Sequence, residues 1–155
     1  GYINEEYQYF SLILFTVYLA FYKFNQSPAK IFLGDVGSIS SGYLVGFIMI
    51  SCLLTNGILL PIVIVNMYYI LDSSITLLIR FYKRDNVLEA HSDHFYQKMI
   101  RKGYQHSYVI KWIFALNSIL LILSLLSMKL PIISFIFSIL LTTALLYLFY
   151  VKKEI

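Results

Sequence analysis

The sequence predicts an all-α membrane protein with about five transmembrane helices, and three observations lead to it. The first is composition. Of 155 residues, 59% are hydrophobic and only 13% charged, with a mean hydropathy of +0.75. Soluble domains average roughly 45–50% apolar and about 25% charged residues, so the apolar excess has to face a bilayer. The second is run length: the apolar stretches approach or exceed the roughly 20 residues that carry a helix across about 30 Å of hydrocarbon. The third is the placement of the cations, which alternates with those stretches. Disorder, a coiled coil and a disulfide scaffold are all excluded, because the chain is aromatic-rich, lacks long heptads and has a single cysteine, Cys52.

The predicted spans cover about residues 9–24, 38–54, 58–79, 109–127 and 132–151. The first is short and leans on Tyr7, Tyr9 and Phe24 to reach through the interface. Residues 119–126 and 132–141 within the last two carry only serines as polar residues, where the outer face of a soluble helix would need charges. Lys and Arg collect in cytoplasmic loops. Five spans put 11 of the 12 basic residues on one side, with Lys129 alone opposite. The N-terminus is therefore expected outside and the C-terminus in the cytoplasm, with inner loops at about residues 25–37 and 80–108. This topology accounts for the net charge of +4 without a nucleic-acid partner. The outer connections at 55–57 and 128–131 are too short to hold a ligand domain, so the chemistry is expected inside.

The first inner loop reads Asn25-Gln-Ser-Pro-Ala-Lys-Ile-Phe-Leu-Gly-Asp-Val-Gly-Ser38 and leads into the second span. Asp35 is placed to cap that helix. A helix start offers free N–H groups and a positive dipole end, which suit phosphate. Gly34 and Gly37 let a phosphate or hydrated metal approach the backbone, and Asp35 could hold Mg²⁺, a hard cation that takes oxygen ligands. A plain cap with two turn glycines explains the same residues. Ser38, Gly42 and Gly46, four apart, form a packing stripe that argues for a helix inside a bundle.

Asp72 lies about 12 Å along its helix from Arg80, below the membrane surface, where an unpaired charge is costly. It should face a wet cavity or pair with a Lys or Arg of another helix. In the second inner loop, Glu89-Ala-His91-Ser-Asp-His94-Phe-Tyr-Gln97 leads into a helix expected to start near Ser92 and to end at Gly103. Its apolar edge of Phe95, Met99 and Ile100 is expected to lie along the membrane surface. His91 and His94, three apart, lack enough partners for zinc, His106 being the only other histidine. Hydrogen bonds to a pyrophosphate suit them better, with Arg101 or Lys102 in support. A purely structural role is the alternative.

Together, Pro28 to Ser38, Asp72 with Thr76 and Arg80, and Ala90-His91-x-x-His94-x-Tyr-Gln97 resemble the polyprenyl-phosphate N-acetylhexosamine-1-phosphate transferases, glycosyltransferase family 4. The resemblance runs from about Lys23 to the last helix. It implies a Mg²⁺-dependent enzyme (Mn²⁺ as substitute) at the cytoplasmic face of the inner membrane. Such an enzyme moves a sugar-1-phosphate from a UDP-N-acetylhexosamine to a polyprenyl phosphate for cell-wall or lipopolysaccharide synthesis. The histidine pattern looks closer to the GlcNAc-1-phosphate type than to the peptidoglycan-precursor type.

By the resemblance, Asp35 serves catalysis and the metal. Lys30, Gly34, Gly37, Ser38, His91, His94 and Arg101 bind substrate, and Asp35 and the two histidines converge on one phosphate-sized pocket. Ser92 stands where many relatives have Arg. The family's first half carries an adjacent Asp pair that this sequence lacks, and the first residue is Gly1. The expectation is a C-terminal half that is inactive without its N-terminal complement. A non-catalytic remnant or subunit is the alternative, and a transporter piece built around Asp72 a weaker third.

Overall fold

A computed structural model describes residues 5–26, 29–86 and 93–152. Among these the chain forms seven helices and no strand: α1 (Glu5–Asn25), α2 (Gly34–Asn56), α3 (Leu59–Val65), α4 (Met67–Lys83), α5 (Phe95–Arg101), α6 (His106–Leu126) and α7 (Pro131–Val151). They divide into two compact units, Gly1–Leu59 and Leu60–Ile155.

Three helices are long and apolar enough to cross a membrane: α2, α6 and α7. A fourth span arises if α3 and α4 count as one. The five spans read from the sequence are thus reduced at two places. In α1 the apolar stretch is diluted by tyrosines, Gln8 and Lys23, which hold its hydropathy below that of a spanning helix. The run at 58–79 is not one straight helix. It breaks at Asn66, and α3 and α4 meet at 68°. There the Asn66 side-chain amide donates to the Ile62 carbonyl at 2.9 Å, so a polar group inserts into the backbone ladder where the bend forms.

In the first unit, the chain leaving α1 folds back on it. The backbone N–H groups of Lys30 and Ile31 donate to the Phe24 carbonyl, at 2.8 and 3.3 Å, and the Asn25 amide donates to the Ile31 carbonyl at 3.0 Å. Tyr7 of α1 meets Phe47 of α2 edge to face, with ring centroids 6.3 Å apart. Gly57 ends α2 with φ 65°, and its N–H returns to the Leu53 carbonyl. The stripe of Ser38, Gly42 and Gly46 behaves differently from expectation. Within the first unit, a Cβ added at Gly42 or Gly46 would meet nothing within 4 Å, so α1 does not close on these two glycines.

The second unit buries polarity and exposes grease. On α7 the buried positions include Ser134, Ser138 and Thr142, four apart, followed by Leu145, Leu146 and Phe149. Ile132, Ile133, Phe137 and Leu140 of the same helix are exposed. Small residues at the contact let helices approach closely, and the large apolar ones face lipid, the pattern of a membrane bundle. Ser124 of α6 donates to the Pro61 carbonyl of α3 at 2.8 Å. Pro131 opens α7 at its first turn, where a missing N–H costs nothing. The α4 stripe of Tyr68, Asp72, Thr76 and Arg80, again four apart, is wholly buried.

Candidate functional site

The first candidate site is the start of α2. Gly34 sits at φ 62°, a left-handed conformation that a side chain would strain, and the helix turns in directly after it. The N-cap position is taken by Leu33, whose side chain makes no capping bond. Asp35 is therefore not the cap the sequence predicts. The reason is local: the helix begins at Gly34 itself, two residues earlier than a cap at Asp35 would start it, so Asp35 falls inside the first turn. There it is exposed, beside the positive end of the helix dipole. Gly37 lies against the Leu33 side chain, which a Cβ would meet at 2.7 Å. Ser38 turns its hydroxyl back to the Asp35 carbonyl at 3.2 Å. Lys30 is exposed on the loop before α2. Gly34, Asp35, Gly37 and Ser38 are thus gathered on one helical turn.

The second candidate site surrounds α5. This helix starts at Phe95 and not near Ser92, because His94 takes the N-cap position. The His94 N–H donates to the Gln97 side-chain oxygen at 3.2 Å, the reciprocal arm of a capping box. The buried carboxylate of Asp72 then reaches across from α4. One oxygen accepts the Phe95 N–H at 3.0 Å, and the other lies 3.1 Å from Nδ1 of His94. With Asp72 ionised, Nδ1–H is the donor, which fixes the ring's tautomer and turns Nε2 away from the carboxylate. The His94 side chain is 28% exposed and stacks on Tyr96, with centroids 6.2 Å apart. Asp72 is thus paired with a histidine and a backbone amide, whereas the sequence had suggested a cavity or a Lys or Arg.

Two further expectations change here. Phe95 and Met99 are buried in the core with α6 and α7 residues, so the apolar edge of α5 packs on protein instead of on the membrane surface. Arg101, expected at a phosphate, donates to Asp93 at 3.3 Å. That hydrogen bond holds the Asp93 carboxyl below the usual carboxylate range, with Lys98 adding to the effect. Burial holds the Lys98 ammonium below the usual lysine range, and nearby Lys83 and Arg101 push the same way. Lys102 is committed to α7: its ammonium donates to the Tyr150 and Lys152 carbonyls at 2.8 and 2.7 Å. His106 is exposed at the start of α6.

His91 and Ser92 lie outside the described residues, as do Pro28 and Ala90, so only His94 of the histidine pair is placed. Asp35 belongs to the first unit and His94 to the second. The sequence reading missed Gln97 as the closing residue of a cap, although a glutamine three residues after an N-cap is a readable signal. It also missed Asp93 as the partner of Arg101. Among the described residues no three of His, Cys, Asp and Glu gather as a metal cage. Asp35 fits a magnesium ion in another way, as one carboxylate of a site completed by water and substrate phosphates.

Residues 2–53 match the family model described as glycosyl transferase family 4. The chain is 28% identical over 121 residues to a probable undecaprenyl-phosphate N-acetylglucosaminyl 1-phosphate transferase of Bacillus subtilis, covering 72% of this chain and 34% of that protein. It is 36% identical over 83 residues to a phospho-N-acetylmuramoyl-pentapeptide-transferase of Prochlorococcus marinus, covering 52% of this chain and 22% of the relative. A protein of the same name from Lactococcus lactis is 33% identical over 84 residues, covering 53% and 25%. The chain spans about a third or less of the length of these relatives. No solved structure matches it. The family that the motifs resemble is therefore the one that the comparisons find: residues 2–53 match its model, and the relatives matched over longer stretches bear the names of such transferases.

Proposed function

We propose that this chain serves the transfer of a sugar-1-phosphate, GlcNAc-1-phosphate in first place, from a UDP-sugar to undecaprenyl phosphate at the cytoplasmic face of the inner membrane. An oxygen of the lipid phosphate attacks the phosphorus bearing the sugar. The bond to the second phosphate breaks, UMP leaves, and a lipid-linked pyrophosphate sugar forms. Two anions must meet, so positive groups have to neutralise both. The observation that carries this reading is the start of α2: Gly34 at φ 62° sets Asp35 and the first-turn amides at an exposed helix N-terminus, within the segment that matches the family. The N–H groups of that turn bind phosphate oxygens. Asp35 holds the Mg²⁺ (or Mn²⁺) that, when bound, supplies Lewis-acid neutralisation of the phosphates. Asp72 positions His94, whose ring donates to the donor's pyrophosphate, and His91 and Lys30 bind substrate as the resemblance implies.

The adjacent Asp pair that the resemblance calls for is not among these residues, so the reaction needs a complement that carries it. Co-expression with the N-terminal part of an intact relative tests this. The expected result is lipid-linked sugar made from UDP-GlcNAc, dependent on Mg²⁺ and lost in Asp35→Asn. Activity of the 155 residues alone would overturn the need for a complement. Failure of every complement would leave the alternative, a non-catalytic membrane subunit or remnant.

A further inference from the structure

Two cavities in the second unit adjoin each other and differ in character. One is a groove of about 250 Å³ walled by Ile75 and Ile79 of α4, Phe95 of α5, and Leu146, Tyr147 and Tyr150 of α7. The other, of about 310 Å³, is lined by Lys83 at the end of α4 and by Lys98, Arg101 and Lys102. Phe95 and Tyr150 line both, so the two cavities share walls. Arg101 is engaged by Asp93 and Lys102 by the last carbonyls of α7. Lys83 and Lys98 are the cations the cavity offers, and Lys98 lies over the Phe95 ring at 5.3 Å from its centroid.

We propose that these joined cavities bind an anionic membrane phospholipid, its phosphate between Lys83 and Lys98 and an acyl chain in the groove between α4 and α7. The occupant follows from the two halves together. A soluble phosphate satisfies the cations but leaves the groove empty, and the groove is walled by α7, a helix of spanning length and composition. An uncharged lipid fills the groove but offers nothing to the exposed Lys83 and the half-buried Lys98. Only an anionic amphiphile meets both. Together the cavities match the size of a small-molecule pocket, roughly 300–1,000 Å³. The site uses no residue assigned above to phosphotransfer apart from Arg101 and Lys102, which are engaged elsewhere. Its role is to hold α4, α5 and α7 together at the membrane interface beneath His94.

The test uses the whole 155-residue chain in neutral detergent. Trp112 is the one tryptophan. Trp112→Phe with Tyr147→Trp places the only tryptophan on the groove, and phospholipids with dibrominated chains quench its selectively excited fluorescence on contact. Phosphatidylglycerol should reach half-quenching at a concentration about tenfold lower than phosphatidylcholine, as expected for two lysines facing one anionic headgroup. Adding Lys83→Gln with Lys98→Gln should erase that preference and leave the phosphatidylcholine curve in place. Thr143 of α7 also lines the groove, and Thr143→Phe, which fills it, should weaken both lipids. Equal quenching by the two lipids would overturn the proposal, as would a preference that survives loss of both lysines. Displacement of phosphatidylglycerol by unbrominated polyprenyl phosphate at a lower concentration than phosphatidylglycerol itself requires would also overturn it, by giving the groove to the acceptor. Because the readout is binding, none of these results depends on whether transfer can be restored.

Discussion

At the scale of single residues, two positions decide how the candidate sites are built. Gly34 takes a left-handed φ, and for any L side chain this conformation costs roughly 1–2 kcal/mol. Gly34→Ala should therefore lower thermal stability by about that amount while meeting no steric neighbour, since a Cβ there finds open space. A calorimetric or fluorescence melt in detergent checks it; an unchanged midpoint would contradict the strained turn. Asp72 is the second position. Its carboxylate serves two partners, so Asp72→Ala removes a charged acceptor from both, and hydrogen bonds to charged groups contribute about 1.5–3 kcal/mol each. His94→Ala leaves the Phe95 N–H bond in place and should cost clearly less. Equal losses in the two variants would show that the backbone bond adds nothing.

At the scale of elements, α5 and α7 carry the argument. The short α5 is tied at its start by Asp72 and at its end by Lys102, so it is held from α4 and from α7 at once. Asp93, just before it, is paired with Arg101. Its folded pKa lies below the unfolded value, so its stabilising contribution is complete above about pH 4 and is lost as the pH falls through the lowered native range. The pair is solvent-exposed, so the effect should be small, and Asp93→Asn should flatten that acid limb in melts taken from pH 6 to pH 2. In α7 the buried stripe demands small side chains. Ser138→Leu should destabilise the unit by about 1–3 kcal/mol through overpacking against neighbouring helices. The equivalent change on the exposed face, Phe137→Leu, should be nearly neutral in the same measurement.

At the scale of the whole molecule, the distribution of cations makes a prediction about topology. Asp85 follows α4, and Lys129 lies in the turn between α6 and α7. Single cysteines at these two places, in a Cys52→Ser background, should react with a membrane-impermeant maleimide from opposite sides. Position 85 should be labelled only in inverted vesicles and position 129 only in intact cells. Labelling of both from one side would remove the assigned orientation and, with it, the cytoplasmic placement of the phosphate chemistry.

The sequence alone determined that the chain is helical and membrane-embedded, and it located α2, α6 and α7 to within a few residues. Those properties are local, because hydropathy, run length and helix-ending residues act within one segment. The Gly34 to Ser38 turn was readable for the same reason, although the helix starts two residues earlier than a cap at Asp35 would place it. Other features were decided only by the tertiary structure. The bend at Asn66, the pairing of Asp72 with His94 and Phe95, the pairing of Arg101 with Asp93 and the commitment of Lys102 to α7 depend on neighbours chosen by folding. A charged side chain in sequence announces that it needs a partner. Which partner it finds is a fact about three dimensions, since residues 22 or 48 apart in the chain become neighbours only when helices pack.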